Sequence, residues 1–125
     1  MSLHFHGLRT TIYKVDNILK AKEWYNAVFA ATPYFDEPFY VGYNIGGYEL
    51  GLQPDKNSAD LKTANVLTYW GVDNVKATYD ELLHSGATPF EEPMDVGDGI
   101  IVAAVKDPWG NAVGIIYNPH FSLKE

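Results

Sequence analysis

The chain has 125 residues, no cysteine, and a formal net charge of −7 from 16 acidic and 9 basic residues. That length suits one domain with a core that needs no staples. The absence of cysteine excludes disulfides, thiolate metal sites and a cysteine nucleophile within this chain. The acidic balance argues against nucleic acid and anionic membrane as partners, because both are bound through clustered Lys and Arg. No apolar stretch approaches the ~20 residues of a membrane span, and Met1-Ser2-Leu3 opens no secretory pattern, so a cytoplasmic location is expected.

In chain order, T-I-Y-K-V-D-N (Thr11 to Asn17) reads as a strand that stops at a helix cap. From Asn17 to Ala30, the residues Ile18, Ala21, Tyr25, Val28 and Phe29 recur with helical period and form one apolar face. Nothing at Ala30-Ala31 resembles a glycine stop, so Pro33 is expected to end this helix. Tyr34 to Asp36, Phe39 to Ile45 and Tyr48 to Gln53 are strand-like, with Gly46-Gly47 as a hairpin turn. Residues 55–65 are polar and irregular and read as a linker.

The pattern then returns. T-Y-W-G-V-D-N (Thr68 to Asn74) precedes a second helical stretch, whose apolar face is Val75, Tyr79, Leu82 and Leu83 and whose stop is Gly86. Asp16/Asn17 and Asp73/Asn74 are the expected N-caps. Each helix is followed by A-T-P, and then by Y-F-D-E-P (Tyr34 to Pro38) or F-E-E-P (Phe90 to Pro93). Thr88 to Met94, a Gly97-Asp98-Gly99 turn, Ile100 to Lys106, a D-P-W-G-N turn (Asp107 to Asn111) and Ala112 to Tyr117 complete the second copy. The chain therefore reads as an α+β duplication of a βαβββ unit. Repeat one covers about residues 8–54, the linker 55–65 and repeat two about 66–119, within a single domain of residues 1–125.

Both strand-V-D-N-helix units, Gly86-Ala87 and the D-P-W-G-N turn resemble the vicinal oxygen chelate superfamily, the glyoxalase/bleomycin resistance protein/extradiol dioxygenase group. The resemblance implies an eight-stranded, funnel-like incomplete barrel with its helices outside. It also implies a divalent metal held by His and carboxylate side chains on the first and last strand of each copy. Carried over residue by residue, those positions fall on Arg9, seven residues ahead of Asp16, on Val66, seven ahead of Asp73, and on Gly51 and Gly114 in the last strands. None can ligate through its side chain, so no cofactor is expected. Glu49, two residues from Gly51, keeps a displaced metal site open as the alternative. His4, His6, His84 and His120 have no helpful spacing.

With those positions pointing inward, strand alternation assigns a lining of Arg9, Thr11, Tyr13, Glu49, Gln53, Thr68 and Trp70, together with Ala112 and Ile116. Thr10 and Ile12 then fall on the helix side. Tyr40 and Tyr43 have opposite parity, and Tyr43 is assigned to the lining. Arg9 and Glu49 serve either as ligand-binding charges or as an ion pair plugging the funnel. The glycines at 51 and 114 are expected to widen the space. The functional expectation is a metal-independent small-molecule-binding protein of the glyoxalase/bleomycin-resistance type, homodimeric by resemblance. The alternative is an enzyme of the same superfamily, a lyase, isomerase or dioxygenase-like protein, using Arg9, Glu49 and Tyr13 or a displaced metal.

Overall fold

An asparagine begins each helix and one backbone motif ends both. In the computed structural model, which describes residues 3–4, 6–56, 62 and 66–121, helix α1 spans Ile18–Val28 and helix α2 spans Val75–His84. Asn17 Oδ1 accepts from Lys20 N at 3.1 Å, and Asn74 Oδ1 accepts from Ala77 N at 3.0 Å. Each side chain thereby satisfies one of the amides that a helix start leaves without a partner. At the other end of α2, Ala87 N donates to Leu82 O and Gly86 N to Leu83 O, with Gly86 at φ 106. This is the Schellman stop that glycine favours. Helix α1 ends the same way: Ala31 N donates to Asn26 O and Ala30 N to Ala27 O, and Ala30 adopts φ 49. The expectation that Pro33 ends α1 is corrected here, since the stop is made three residues earlier by an alanine in the left-handed region.

The chain divides into two compact units, residues 1–58 and 59–125. In the first, β1 (Thr10–Val15), β2 (Phe35–Glu37), β3 (Tyr40–Ile45) and β4 (Tyr48–Pro54) form a mixed sheet of order β1-β4-β3-β2. In the second, β5 (Tyr69–Gly71), β6 (Thr88–Gly97), β7 (Ile100–Lys106) and β8 (Ala112–Tyr117) form a sheet of order β5-β8-β7-β6. The two orders are the same order, shifted by one repeat. The α+β duplication of a βαβββ unit read from the sequence is what the chain forms, as two open four-stranded sheets with one helix each.

Strand bounds differ modestly from the reading. β5 begins at Tyr69, and β6 runs on to Gly97 through register shifts. Both hairpins turn through two residues of positive φ, Gly46-Gly47 and Asp98-Gly99. That is the backbone twist two-residue hairpins prefer. Most of the expected linker lies outside the described residues.

Alternation decides which face each helix covers. In the first unit Tyr13 pairs with Leu52, and Leu50 with Tyr43. Tyr13 stacks on Tyr25 of α1 with ring centroids 5.8 Å apart, and the Tyr43 hydroxyl donates to Asn26 Oδ1 of α1 at 2.6 Å. This is the α1 face. Val15, Tyr25, Val41, Leu50 and Leu52 are fully buried, each contributing roughly 1.5–3 kcal/mol. In the second unit Val75, Tyr79 and Leu82 of α2 are buried, as are Trp70, Ala103, Val105, Val113 and Ile115 of its sheet.

The two Schellman stops give a direct check. A left-handed L-residue costs about 1–2 kcal/mol, more than the backbone freedom a glycine loses on folding. Ala30→Gly is expected to raise the unfolding free energy by roughly 0.5–1 kcal/mol, read as an increased urea midpoint at constant m-value.

Candidate functional site: a carboxylate on a glycine floor

Two glycines meet across the β3–β4 hairpin. Gly42 and Gly51 are register partners, and both lie on the face away from α1, opposite to Tyr43, Leu50 and Leu52. Without side chains there, the sheet offers a bare strip, and two tyrosine rings lie over it. A Cβ on Gly42 would come within 3.2 Å of the Tyr34 ring and 2.8 Å of Glu49 Oε2. A Cβ on Gly51 would come within 2.6 Å of Tyr40 Cζ.

Glu49 stands where the rings converge. Tyr34 OH donates to its Oε2 at 2.5 Å, and Thr10 Oγ1 donates to its Oε1 at 2.9 Å. Thr10 is brought there by the parallel β1–β4 register, which sets it directly beside Glu49. Tyr34 is anchored by its own backbone, whose N–H donates to Gly42 O at 2.9 Å.

The electrostatics follow from the donors. The Tyr34 hydroxyl above all holds the Glu49 carboxyl below its usual range; burial opposes this, and the Thr10 and Tyr40 hydroxyls add to it. The same carboxylate raises Tyr34. Tyr40 is pushed up to about 12, first by burial and then by Glu49. Near neutral pH the cluster is thus one carboxylate surrounded by protonated hydroxyls. An acceptor stabilised this way is a weak base, which suits holding a ligand better than removing a proton.

The second unit repeats the glycine-under-tyrosine arrangement. Gly114 is the register partner of Tyr69. A Cβ there would sit 2.6 Å from Thr68 O and 2.7 Å from Tyr69 Cδ1. Tyr69, Gly114, Ala104 and Glu91 form one row across the four strands. Burial and then Glu91 raise the Tyr69 hydroxyl above its ordinary value.

Several expectations from alternation are corrected by this geometry. Arg9 precedes β1, and its guanidinium donates to the carbonyls of His6, Gly7 and Leu8. It forms no ion pair with Glu49; the two meet only through Glu49 N and Arg9 O. Tyr13 and Tyr43 pack on α1, and Thr11 pairs with Leu50 on that same face. Thr10 and Ile12 lie on the open face instead. Thr68 precedes β5 and uses its carbonyl to accept from Gly114 N, while Trp70 is buried beside Ile115. Val66 lies outside the strand and is exposed. The glycines do not leave open space at 51 and 114, because tyrosine rings fill it.

Of the assigned lining, Glu49 and Gln53 share the open face of the first unit with Gly51. Alternation failed in β1 because its register is set by Thr10 opposite Glu49, one residue away from the motif count that began at Arg9. The residues it missed are Thr10, Tyr34, Tyr40, Gly42 and Tyr69. A signal for part of this was present: a hairpin centred on Gly46-Gly47 makes Gly42 and Gly51 partners by arithmetic.

Among the described residues no three His, Asp or Glu side chains come together to hold an ion. The strand positions from which the resemblance implies ligands are a glycine under Tyr40 and a glycine under Tyr69. The residues present do not fit a metal centre of that kind.

The sequence model of the glyoxalase/bleomycin resistance protein/dioxygenase superfamily matches residues 7–115. The chain belongs to this superfamily. Its fold agrees. A glyoxalase-related enzyme from Fulvimarina pelagi is similar with a TM-score of 0.77 at 16% identity, over 96% of this chain and 94% of that one. Lactoylglutathione lyase from Agrobacterium tumefaciens gives 0.71 at 16% identity, over 97% and 100%. The bleomycin resistance determinant encoded on transposon Tn5 gives 0.68 at 16% identity, over 90% and 98%. No curated protein sequence matches the chain. Within the superfamily fold, then, this chain carries tyrosine rings over glycines on both sheets.

Two outcomes check the site. Gly114→Ala drives its Cβ against a backbone carbonyl and is expected to cost about 1–3 kcal/mol in chemical denaturation. Gly51→Ala meets a half-buried tyrosine that can swing aside, and should cost less. In a side-chain carboxyl NMR titration, Tyr34→Phe should raise the Glu49 pKa toward the ordinary glutamate value. The wild-type carboxyl should titrate below it. The hydrogen-bonded arrangement is therefore fully present above the unfolded-state pKa and is lost as pH falls through the lower folded one.

Proposed function

We propose that this member of the superfamily is a metal-independent small-molecule-binding protein, homodimeric and cytoplasmic, that holds its ligand on the open sheet faces lined by glycine-seated tyrosines. The observation that carries the reading is the occupancy of two strand positions. Where family resemblance implies metal-ligating side chains, Gly51 lies under Tyr40 and Gly114 under Tyr69. Apolar and aromatic surface with a few convergent polar groups is what small-molecule sites are made of. The first unit offers that mixture in Tyr34, Tyr40, Thr10 and Glu49. Binding is favoured over turnover by the state of Glu49, whose donors depress its basicity. The homodimer is supported by β6, an edge strand with exposed Phe90, Met94 and Val96, because uncovered edges invite pairing.

Native mass spectrometry and elemental analysis of untagged protein test the proposal. The expected result is a small molecule retained, or taken up from a library of aromatic compounds, equally before and after EDTA dialysis, with metal well below one equivalent. Stoichiometric metal whose removal abolishes uptake, or conversion of the bound compound to product, would overturn it.

A further inference from the structure

The open face of the first unit carries more than a generic pocket lining. Four aromatic rings and one carboxylate run together there. Phe35 contacts Phe39 with ring centroids 5.9 Å apart, and Tyr40 with centroids 6.1 Å apart. The Tyr40 ring reaches across to Gly51, and Glu49 follows, capped by Tyr34. These rings are not core residues. Tyr34 and Phe39 are each 65% exposed, and Phe35 is 38% exposed.

The charge is just as unusual. Glu49 accepts from neutral hydroxyls, and among the described residues no Lys, Arg or His lies within ion-pair distance of it. Arg9, whose carbonyl accepts from Glu49 N, turns its guanidinium to backbone carbonyls instead. Hydroxyl donors keep a carboxylate ionised without neutralising it. A carboxylate has about four acceptor sites, so capacity remains after Thr10, Tyr34 and Tyr40 have donated. The aromatic faces around it are negative in their quadrupole and attract cations within about 6 Å of the ring centre.

From this we infer that the ligand class of the first unit is an organic cation, an ammonium-bearing small molecule with apolar substituents, seated on Tyr34, Tyr40, Phe35 and Phe39 with its charge toward Glu49. Charge complementarity selects this occupant. An anion would meet an uncompensated carboxylate. A neutral aromatic would gain ring contact but leave the charge unanswered. The inference rests on the small-molecule reading above and specifies its ligand class.

The test uses full-length protein and three probes of similar size: benzyltrimethylammonium, benzyl alcohol and phenylacetate, titrated by heteronuclear NMR. Benzyltrimethylammonium is expected to shift Tyr34, Phe35, Tyr40 and Glu49 resonances saturably, and more tightly than the other two. Glu49→Gln should weaken it by at least about tenfold, with circular dichroism unchanged. Phe39→Ala, at an exposed ring with little packing to lose, should weaken it as well and serves as the second variant. Equal or tighter binding of benzyl alcohol or phenylacetate overturns the inference while leaving small-molecule binding standing. It is also overturned if Glu49→Gln binds the cation unchanged or if no probe saturates. Shifts that follow protein concentration instead of probe would assign this face to a second copy, and so overturn it too. Failure of the metal-independent binding reading is recognised separately, by stoichiometric metal whose removal abolishes uptake or by conversion of the bound compound to product.

Discussion

The Glu49 carboxylate, held between Thr10 and Tyr34, is the contact around which the open face of the first unit is arranged. Thr10 belongs to β1 at one edge of the sheet, and Tyr34 precedes β2 at the other. Both hydroxyls converge on β4, with Tyr34 crossing above Gly42 of β3. One side chain thus draws together β1 and the segment leading into β2, from opposite edges of the sheet. The crossing is possible only because Gly42 and Gly51 present no Cβ. A residue of any other type at either position would displace a ring, and with it a donor to the carboxylate.

The same rule operates in the second unit with a different outcome. Gly114 accommodates Tyr69 and the carbonyl of Thr68, and Glu91 lies at the far end of that row. The two halves therefore share a device, a flat ring over a bare stretch of strand, and the first also brings hydroxyls onto a carboxylate beside it. Elsewhere the halves stay close. Asparagine caps both helices and a Schellman stop closes both, although one uses glycine and the other alanine. Asp107 gives the second half a further support. Its buried carboxylate accepts from Trp109 N and Asn111 N and secures the turn into β8. The strand that carries Gly114 is fixed from its first residue.

Much of the architecture was legible because it rests on local chemistry. The caps, hairpins and helical faces are set by residues near one another in sequence, and duplication stated the pattern twice. The open face was less legible because it depends on register. Shifting the first-strand count by one residue exchanges Tyr13 for Ile12 and Thr11 for Thr10 across the sheet. Nothing local at Arg9 or Thr10 announces which of them faces Glu49; the pairing of β1 with β4 decides it. Tyr34 was hidden for a different reason. The strand expected from Tyr34 starts instead at Phe35, as β2, so alternation gives no rule for the Tyr34 side chain. Glycine at 51 and 114 was expected to widen the space. The space it frees is taken by neighbouring rings, a contact that only the folded backbone shows.

The account therefore turns on tyrosine rings standing where the fold's relatives are implied to carry metal ligands. Titration of untagged protein with Co(II), followed by its visible d–d absorption and by paramagnetic broadening of amide resonances, tests this most directly. The account predicts no coordination bands and no saturable broadening around Gly51 and Gly114. One equivalent taken up with ligand-field bands, and with broadening centred on β4 and β8, would contradict it.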